Sequence, residues 1–153
     1  MLIVNGLVLT FGATPQVIAN GALRIEGSKI TAVSTTEELV SLYPAEQRLD
    51  AGGRVVMPGF VCAHTHFYGL FSRGMALGGE PAEDFPQILE RLWWRLDKAL
   101  QRDDTKYSAL YCLVDAIRNG TTPLLDHHAS PHAIPSSLDA IVAAATEAGI
   151  RAC

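Results

Sequence analysis

The amino-acid sequence predicts an α/β protein in which a β-rich segment precedes alternating strands and helices. Two observations lead to this prediction. Short runs rich in Val, Ile and Leu, separated by turn residues, fill the N-terminal part of the chain. After residue 57, apolar runs of strand length alternate with longer segments of helical periodicity, which is typical of a parallel sheet with crossover helices.

The β-rich part is predicted to span residues 1–57 and to form a portion of a β-sandwich. Asn5-Gly6, Asn20-Gly21 and Gly27 are typical turn residues, so they are expected to separate strands. The predicted strands lie at 1–4, 7–10, 22–26 and 30–34, followed by a short helix from Thr35 or Thr36 to Tyr43 and an extended stretch at 54–57.

The second part, residues 58–153, is predicted to begin with a buried strand. Phe60–Ala63 is a continuous apolar run, as in strands that are covered on both faces. The glycine-rich stretch 67–82 is expected to be a loop over a site rather than core. Helices are predicted after Asp84, after Asp103 or Asp104, and after Ser136 or Ser137, with further strands at 121–126 and 150–153.

Parallel strands with right-handed crossovers carry their C-terminal ends at one edge of the sheet. His64 and His66 follow the first predicted strand of the second part, and His127 and His128 follow the next. The sequence therefore predicts that these four histidines lie along one rim.

Composition excludes several classes of partner. The 153 residues carry a net charge of −4 with 18% charged residues of mixed sign, which argues against nucleic-acid binding. No run approaches the roughly 18 apolar residues that cross a bilayer, and the N-terminus lacks the basic start of a signal peptide. Three cysteines without CxxC spacing suit a reducing compartment. We therefore expect a cytoplasmic protein without a nucleic-acid or membrane partner.

The triplet His64-Thr65-His66 is the main candidate for chemistry. On a strand, residues two apart point to the same side, so both imidazoles leave the backbone together and can reach one ion. Neutral imidazole is a good ligand for zinc or iron. Ligand chemistry alone does not decide between two interpretations of the triplet. The two histidines could bind one metal ion together, or they could be ordinary surface residues.

The longer context around the triplet resembles a known family. Residues 49–66 (LDAGGRVVMPGFVCAHTH) resemble the N-terminal signature of the amidohydrolase superfamily, in its cytosine-deaminase and chlorohydrolase (ATZ/TRZ) branch. Ser72-Arg73-Gly74 and the stretches 92–97 (LWWRLD) and 126–131 (DHHASP) are similar to the SsnA-type aminohydrolases. The resemblance runs over nearly the whole chain.

This resemblance implies a fold, a reaction and a metal site. The fold would be a (β/α)₈ barrel beside a β-sandwich, so this α/β chain would hold part of the sandwich and the first strand–helix units of the barrel. His64 and His66 would be the first two ligands of a divalent metal, zinc with iron as the alternative. Metal-bound water, with its pKa lowered to about 7, would attack a ring carbon of a small heterocycle and expel ammonia or chloride.

The sequence departs from the family pattern because it stops early. A barrel typically needs about 250 residues, and residues 58–153 number 96. The family takes its remaining metal ligands and its general acid from later strands, so no catalytic residue is expected in this fragment, and it should be inactive alone. The expected partners are a small heterocyclic substrate of the full-length protein and other copies in a homo-oligomer. The alternative is a non-catalytic remnant or partner-binding module.

Four other residues have a functional and a structural interpretation. Arg73 could bind the substrate or be a solvated loop residue. Strand parity turns one of His127 and His128 toward the substrate, unless one caps a loop and the other is solvated. Asp126 could hydrogen-bond a ligand histidine from outside the metal shell, or end its strand with a turn. Trp93 and Trp94 could line the pocket, although a tryptophan in a helical apolar stripe is more often core.

Overall fold

A computed structural model describes residues 1–75 and 78–153. These residues fold into two compact units, Met1–Pro58 and Gly59–Cys153. In the described part of the chain, no helix is long and apolar enough to cross a membrane. Ala76 and Leu77, within the predicted loop 67–82, lie outside the described residues.

The first unit is a five-stranded sheet with one helix. Its elements are β1 (Leu2–Thr10), β2 (Gln16–Glu26), β3 (Lys29–Thr35), α1 (Thr36–Leu42), β4 (Arg48–Asp50) and β5 (Val55–Val56). The strand order is β3-β2-β1-β4, and β5 also pairs with β1. The β1–β2 and β2–β3 pairs are antiparallel, whereas β4 and β5 run parallel to β1. The described residues of this unit form one sheet, and the sandwich itself stays a prediction.

The two Asn-Gly pairs do not separate strands, so that prediction was wrong. Asn5 and Asn20 have positive φ angles of 57° and 48°, yet β1 and β2 continue through them. Gly6 pairs with Gly21, and the β1–β2 register shifts on both sides of this pair. A β-carbon on Gly21 would lie 2.7 Å from the Val8 side chain. The left-handed residues therefore form bulges within long strands, because positive φ is also what a bulge requires.

Helix α1 covers the sheet and completes the core of this unit. The Thr35 hydroxyl accepts a hydrogen bond from the Glu38 backbone N–H and caps the helix. Leu39, on the inner side of α1, is buried against Leu2 and Val4 of β1. Burial of these aliphatic side chains is the main stabilising contribution of the helix.

Glu46 provides a pH-dependent contribution to stability in this unit. The Met1 ammonium and the Arg24 guanidinium, which donates to Glu46 over 2.8 Å, hold the pKa of the Glu46 carboxyl below its usual value. Because the folded-state pKa is lowered, this stabilisation is present above the unfolded-state pKa of about 4.3 and is lost as the pH falls through the folded-state pKa.

We expect the Glu46→Gln variant to unfold more easily than the parent at pH 6, with the difference vanishing in acid. Thermal unfolding from pH 6 to pH 3 measures this, and Glu37→Gln, an exposed glutamate of α1, is the control. An undiminished difference at pH 3 would contradict it.

The second unit is a three-stranded parallel sheet with helices packed on it. Its elements are β6 (Phe60–Thr65), a 3₁₀ helix (Phe67–Ser72), α2 (Phe85–Ile88), a π-helical turn (Leu89–Trp93), α3 (Trp94–Ala99), α4 (Arg102–Arg118), β7 (Thr121–Asp126), α5 (Ser137–Ala148) and β8 (Arg151–Ala152). The order β6-β7-β8 follows the chain. The mixed α/β class and the parallel pairing were predicted from the alternation of strands and helices.

The core of this unit lies between α4, α5 and β7. Leu113 of α4, Leu124 of β7 and Ile141 of α5 are buried in one cluster. Phe67, from the 3₁₀ helix, belongs to the same cluster and is 1% exposed. These contacts hold the C-terminal ends of β6 and β7 in fixed positions, which matters for the site below.

Two expectations for this unit were wrong. Residues Phe67–Ser72 form a 3₁₀ helix with Phe67 and Tyr68 buried, rather than a loop outside the core. The physical reason is packing, since Phe67 joins the cluster around Leu113 and Tyr68 packs with Leu96. Phe60, expected to be covered on both faces, is 60% exposed. Its strand lies at the edge of the described three-stranded sheet, so only β7 flanks it.

Helix boundaries also differ from the prediction. The single helix expected after Asp84 is interrupted by the π-helical turn at Leu89–Trp93, where the Trp94 backbone N–H reaches the Leu89 carbonyl. Helix α4 begins at Arg102, ahead of both predicted caps, because the Asp104 carboxylate accepts a hydrogen bond from the Gln101 backbone N–H over 2.8 Å, as in a capping box.

Candidate functional site

The C-terminal ends of β6 and β7 lie side by side and bring the candidate residues together. Thr65 of β6 pairs with Asp126 of β7, and the His127 backbone N–H donates to the Thr65 carbonyl over 2.9 Å. His64 and His66 flank Thr65, so both stand next to His127. The rim predicted from parallel strand order therefore exists.

The His64 and His66 side chains converge at their Nε2 atoms. The distance between the two Nε2 atoms is 3.3 Å. The His66 Nδ1 atom lies 2.6 Å from the His127 carbonyl oxygen. Because a carbonyl can only accept, Nδ1 of His66 carries the hydrogen, and in the neutral ring Nε2 then presents its lone pair.

This spacing fits one tetrahedral metal ion. Two imidazole nitrogens at about 2.0–2.1 Å from a tetrahedral zinc ion are roughly 3.3 Å apart. Without an ion, the same spacing fits an N–H···N hydrogen bond from His64 to His66, which holds the rings in place. Among residues 1–75 and 78–153, no group of three His, Cys, Asp or Glu side chains is placed to hold a metal. The described residues therefore bring together two candidate ligands, His64 and His66.

His127 contacts the pair in two ways. Its ring stacks on the His64 ring, with centroids 4.3 Å apart and planes inclined by 29°. Its backbone carbonyl is the acceptor that orients His66. Sequence reasoning considered the His127 imidazole but missed this carbonyl, since every residue has one.

His128 points away from the pair and into the protein. Its Nε2 atom lies 2.8 Å from the Ser130 hydroxyl, its ring packs edge-to-face on Tyr68, and burial lowers its pKa. The His128 Nδ1 atom is buried without a hydrogen-bond partner among the described residues. His128 and Asp126 also line a cavity of about 690 Å³ beside α5 and β8, which His64 and His66 do not line.

Asp126 fixes the backbone beside His66. Its Oδ1 atom accepts a hydrogen bond from the Phe67 N–H over 2.8 Å. Burial raises the pKa of its carboxyl, while this hydrogen bond and the nearby His128 oppose the rise. Asp126 thus supports His66 through the chain; within the described residues it does not hydrogen-bond an imidazole.

No described contact joins Arg73 to the histidine pair. Arg73 follows the 3₁₀ helix, is exposed, and its guanidinium forms no hydrogen bond or ion pair with another described residue. Burial raises the pKa of the Cys112 thiol to about 11, and the Arg73 charge acts weakly against that rise. Substrate binding by Arg73 remains a prediction.

Two aromatic side chains complete the surroundings of His66. The Trp93 ring lies 5.3 Å from the His66 ring and the Tyr68 ring lies 5.6 Å from it, both between centroids. Trp94, the neighbour of Trp93, is exposed instead. Sequence analysis weighed both tryptophans equally and did not single out Tyr68, although its place two residues after His66 is a signal that could have found it.

Comparison with known proteins identifies a matching family and similar proteins. Residues 55–153 match the amidohydrolase family. A 5-methylthioadenosine/S-adenosylhomocysteine deaminase from Pelotomaculum thermopropionicum is 30% identical over 155 residues, covering 100% of this chain and 33% of that protein. The chain therefore spans about one third of the length of this curated relative.

Solved structures are similar over the same extent. A mutant of the atrazine chlorohydrolase TrzN from Arthrobacter aurescens TC1, complexed with zinc and atraton, matches with a TM-score of 0.82 and 26% identity, covering 99% of this chain and 34% of that one. Guanine deaminase from C. acetobutylicum with bound guanine matches in fold, with a TM-score of 0.77, 19% identity and the same coverage.

Proposed function

The chain belongs to the amidohydrolase family, and from this we propose that it is the N-terminal part of a metal-dependent hydrolase that removes an amino group or a chlorine atom from a small heterocycle. Its first unit would supply a portion of a β-sandwich and its second unit the first strand–helix units of a (β/α)₈ barrel. The narrower likeness to SsnA-type aminohydrolases stays a prediction.

The observation that carries the proposal is the convergence of His64 and His66. Their Nε2 atoms are 3.3 Å apart, and the His66 Nδ1–H is engaged by the His127 carbonyl. This arrangement supports both residues as ligands of one divalent metal, zinc or iron. When bound, such a metal supplies Lewis acidity and lowers the pKa of water at the site.

His127 and Asp126 orient His64 and His66 for metal binding. The His127 carbonyl selects the His66 tautomer that leaves Nε2 free, as partners of ligand histidines generally do. The His127 ring covers one face of His64. Asp126 holds the Phe67 N–H and so fixes the backbone from which His66 projects. To bind metal through Nε2, His64 must carry its own hydrogen on Nδ1.

The similar proteins support a proposal for the substrate class. One is named as a deaminase of adenosine derivatives, one as a chlorohydrolase of atrazine and one as a guanine deaminase. We propose a flat nitrogen heterocycle of this kind as the substrate of the whole protein, with Arg73 among the residues that contact it.

The experiment uses the complete protein encoded by the open reading frame that contains these residues. The purified protein is assayed for release of ammonia and chloride from purines, pyrimidines and triazines. We expect release that stops when a chelator removes the metal and returns when zinc is added. Folded, metal-loaded protein that hydrolyses none of these compounds, or hydrolysis that is indifferent to the chelator, would overturn the proposal.

A further inference from the structure

The His66 ring is part of a three-ring cluster. The ring centroids of His66 and Trp93 are 5.3 Å apart with planes inclined by 45°, and those of His66 and Tyr68 are 5.6 Å apart at 67°. Tyr68 and Trp93 meet edge-to-face at 5.8 Å. These separations are typical of favourable aromatic contacts. Each ring therefore restricts the other two.

The π-helical turn Leu89–Trp93, which continues directly into α3, carries Trp93 to this position. Leu96 and Leu100 lie three and seven residues after Trp93, on the same side of the helix, and both are buried with Tyr68 in one cluster. Trp94 lies off that side and is 45% exposed. Anchoring by the two leucines thus decides which of the adjacent tryptophans faces His66.

Gly69 leaves the space that the indole occupies. A β-carbon added to Gly69 would lie 3.3 Å from Cη2 of Trp93 and 3.7 Å from Cβ of His66. The first distance is shorter than an ordinary van der Waals contact, so a side chain here would press on the indole.

We propose that Trp93 is a positioning residue for His66, which rests on the proposed role of His66 as a metal ligand. The histidine χ2 torsion is broad, and the two contacts at the ring edge, Nδ1 to the His127 carbonyl and Nε2 to His64, leave the ring able to tilt about the line that joins them. The indole on one side and Tyr68 on another remove this freedom. His66 Nε2 is thereby held facing His64 Nε2 before any metal arrives.

The test compares Trp93→Leu with Trp94→Leu in the chain Met1–Cys153. Zinc chloride affinity is measured by competition with a chromophoric chelator, and the tautomer of His66 is read from imidazole ¹⁵N shifts without metal. We expect Trp93→Leu to weaken zinc binding about tenfold, the lower end for groups that orient a metal ligand, and to mix the two His66 tautomers. Trp94→Leu should change neither, and Trp93→Phe should restore most of both.

An unchanged single tautomer and a zinc affinity within about twofold in folded Trp93→Leu would overturn the inference, since an orienting group should cost more. If Trp93→Leu does not fold, Trp93→Met replaces it, because a flexible thioether side chain fills part of the space of the indole without a ring; an unchanged single His66 tautomer there also overturns the inference. If zinc fails to shift the His64 and His66 signals of the parent while Trp93→Leu still mixes the tautomers, the proposed metal site fails and the positioning role stands.

Discussion

Replacing His66 with glutamine should weaken zinc binding by the chain at least about 100-fold, because removal of a ligand must exceed the 10–100-fold cost of removing a group that only orients one. His64 would be left as a lone imidazole, and the 3.3 Å convergence of the two Nε2 atoms would be lost. Competition with a chromophoric chelator, with zinc chloride as the titrant, measures the affinity.

His132→Gln is the matched control for this variant. The His132 Nδ1 atom lies 3.0 Å from the Lys98 carbonyl oxygen, and His132 is an exposed residue. Zinc affinity should therefore be unchanged. A His66→Gln chain that binds zinc within about tenfold of the parent would mean that His66 is not a ligand, since even an orienting group costs that much.

In the complete protein, His66→Gln should lower hydrolysis at least about 1,000-fold, or roughly 4 kcal/mol of transition-state stabilisation.

Truncating Leu113 to alanine should destabilise the second unit by about 2–5 kcal/mol, the cost of removing a buried leucine side chain and leaving a cavity. Leu113 is 0% exposed and packs in the cluster that contains Phe67, Leu124 and Ile141. The site depends on this cluster, since Phe67 directly follows His66. Urea unfolding of the parent and the variant measures the difference.

The control for Leu113 is the same substitution at an exposed leucine. Leu138 of α5 is 64% exposed, so Leu138→Ala should change the free energy of unfolding by less than about 0.5 kcal/mol. Because Leu113 lies within Gly59–Cys153, the loss should appear in the unfolding of that unit. Equal costs for the two leucines would contradict the described packing of α4.

Much of the fold was predictable because its signals are local. Alternation of apolar runs with helical periodicity predicted the parallel arrangement of β6, β7 and β8. Asn5-Gly6 and Asn20-Gly21 show where this reasoning fails. A residue with positive φ can occur in a turn or in a β-bulge, so the Asn-Gly pairs alone do not distinguish the two. Only the pairing of Gly6 with Gly21 across two strands shows that they form bulges.

The sequence by itself determined that His64 and His66 project together, since residues two apart on a strand point to the same face of the sheet. It also determined the candidate chemistry, through the imidazole ligands and the family signature at residues 49–66. Only the tertiary structure decided which groups hold that pair: the carbonyl of His127, the carboxylate of Asp126 and the indole of Trp93. These groups lie tens of residues from His66 along the chain, and contacts over such separations depend on packing rather than on any local pattern. A backbone carbonyl, present in every residue, has no side-chain signature that could have marked it in advance.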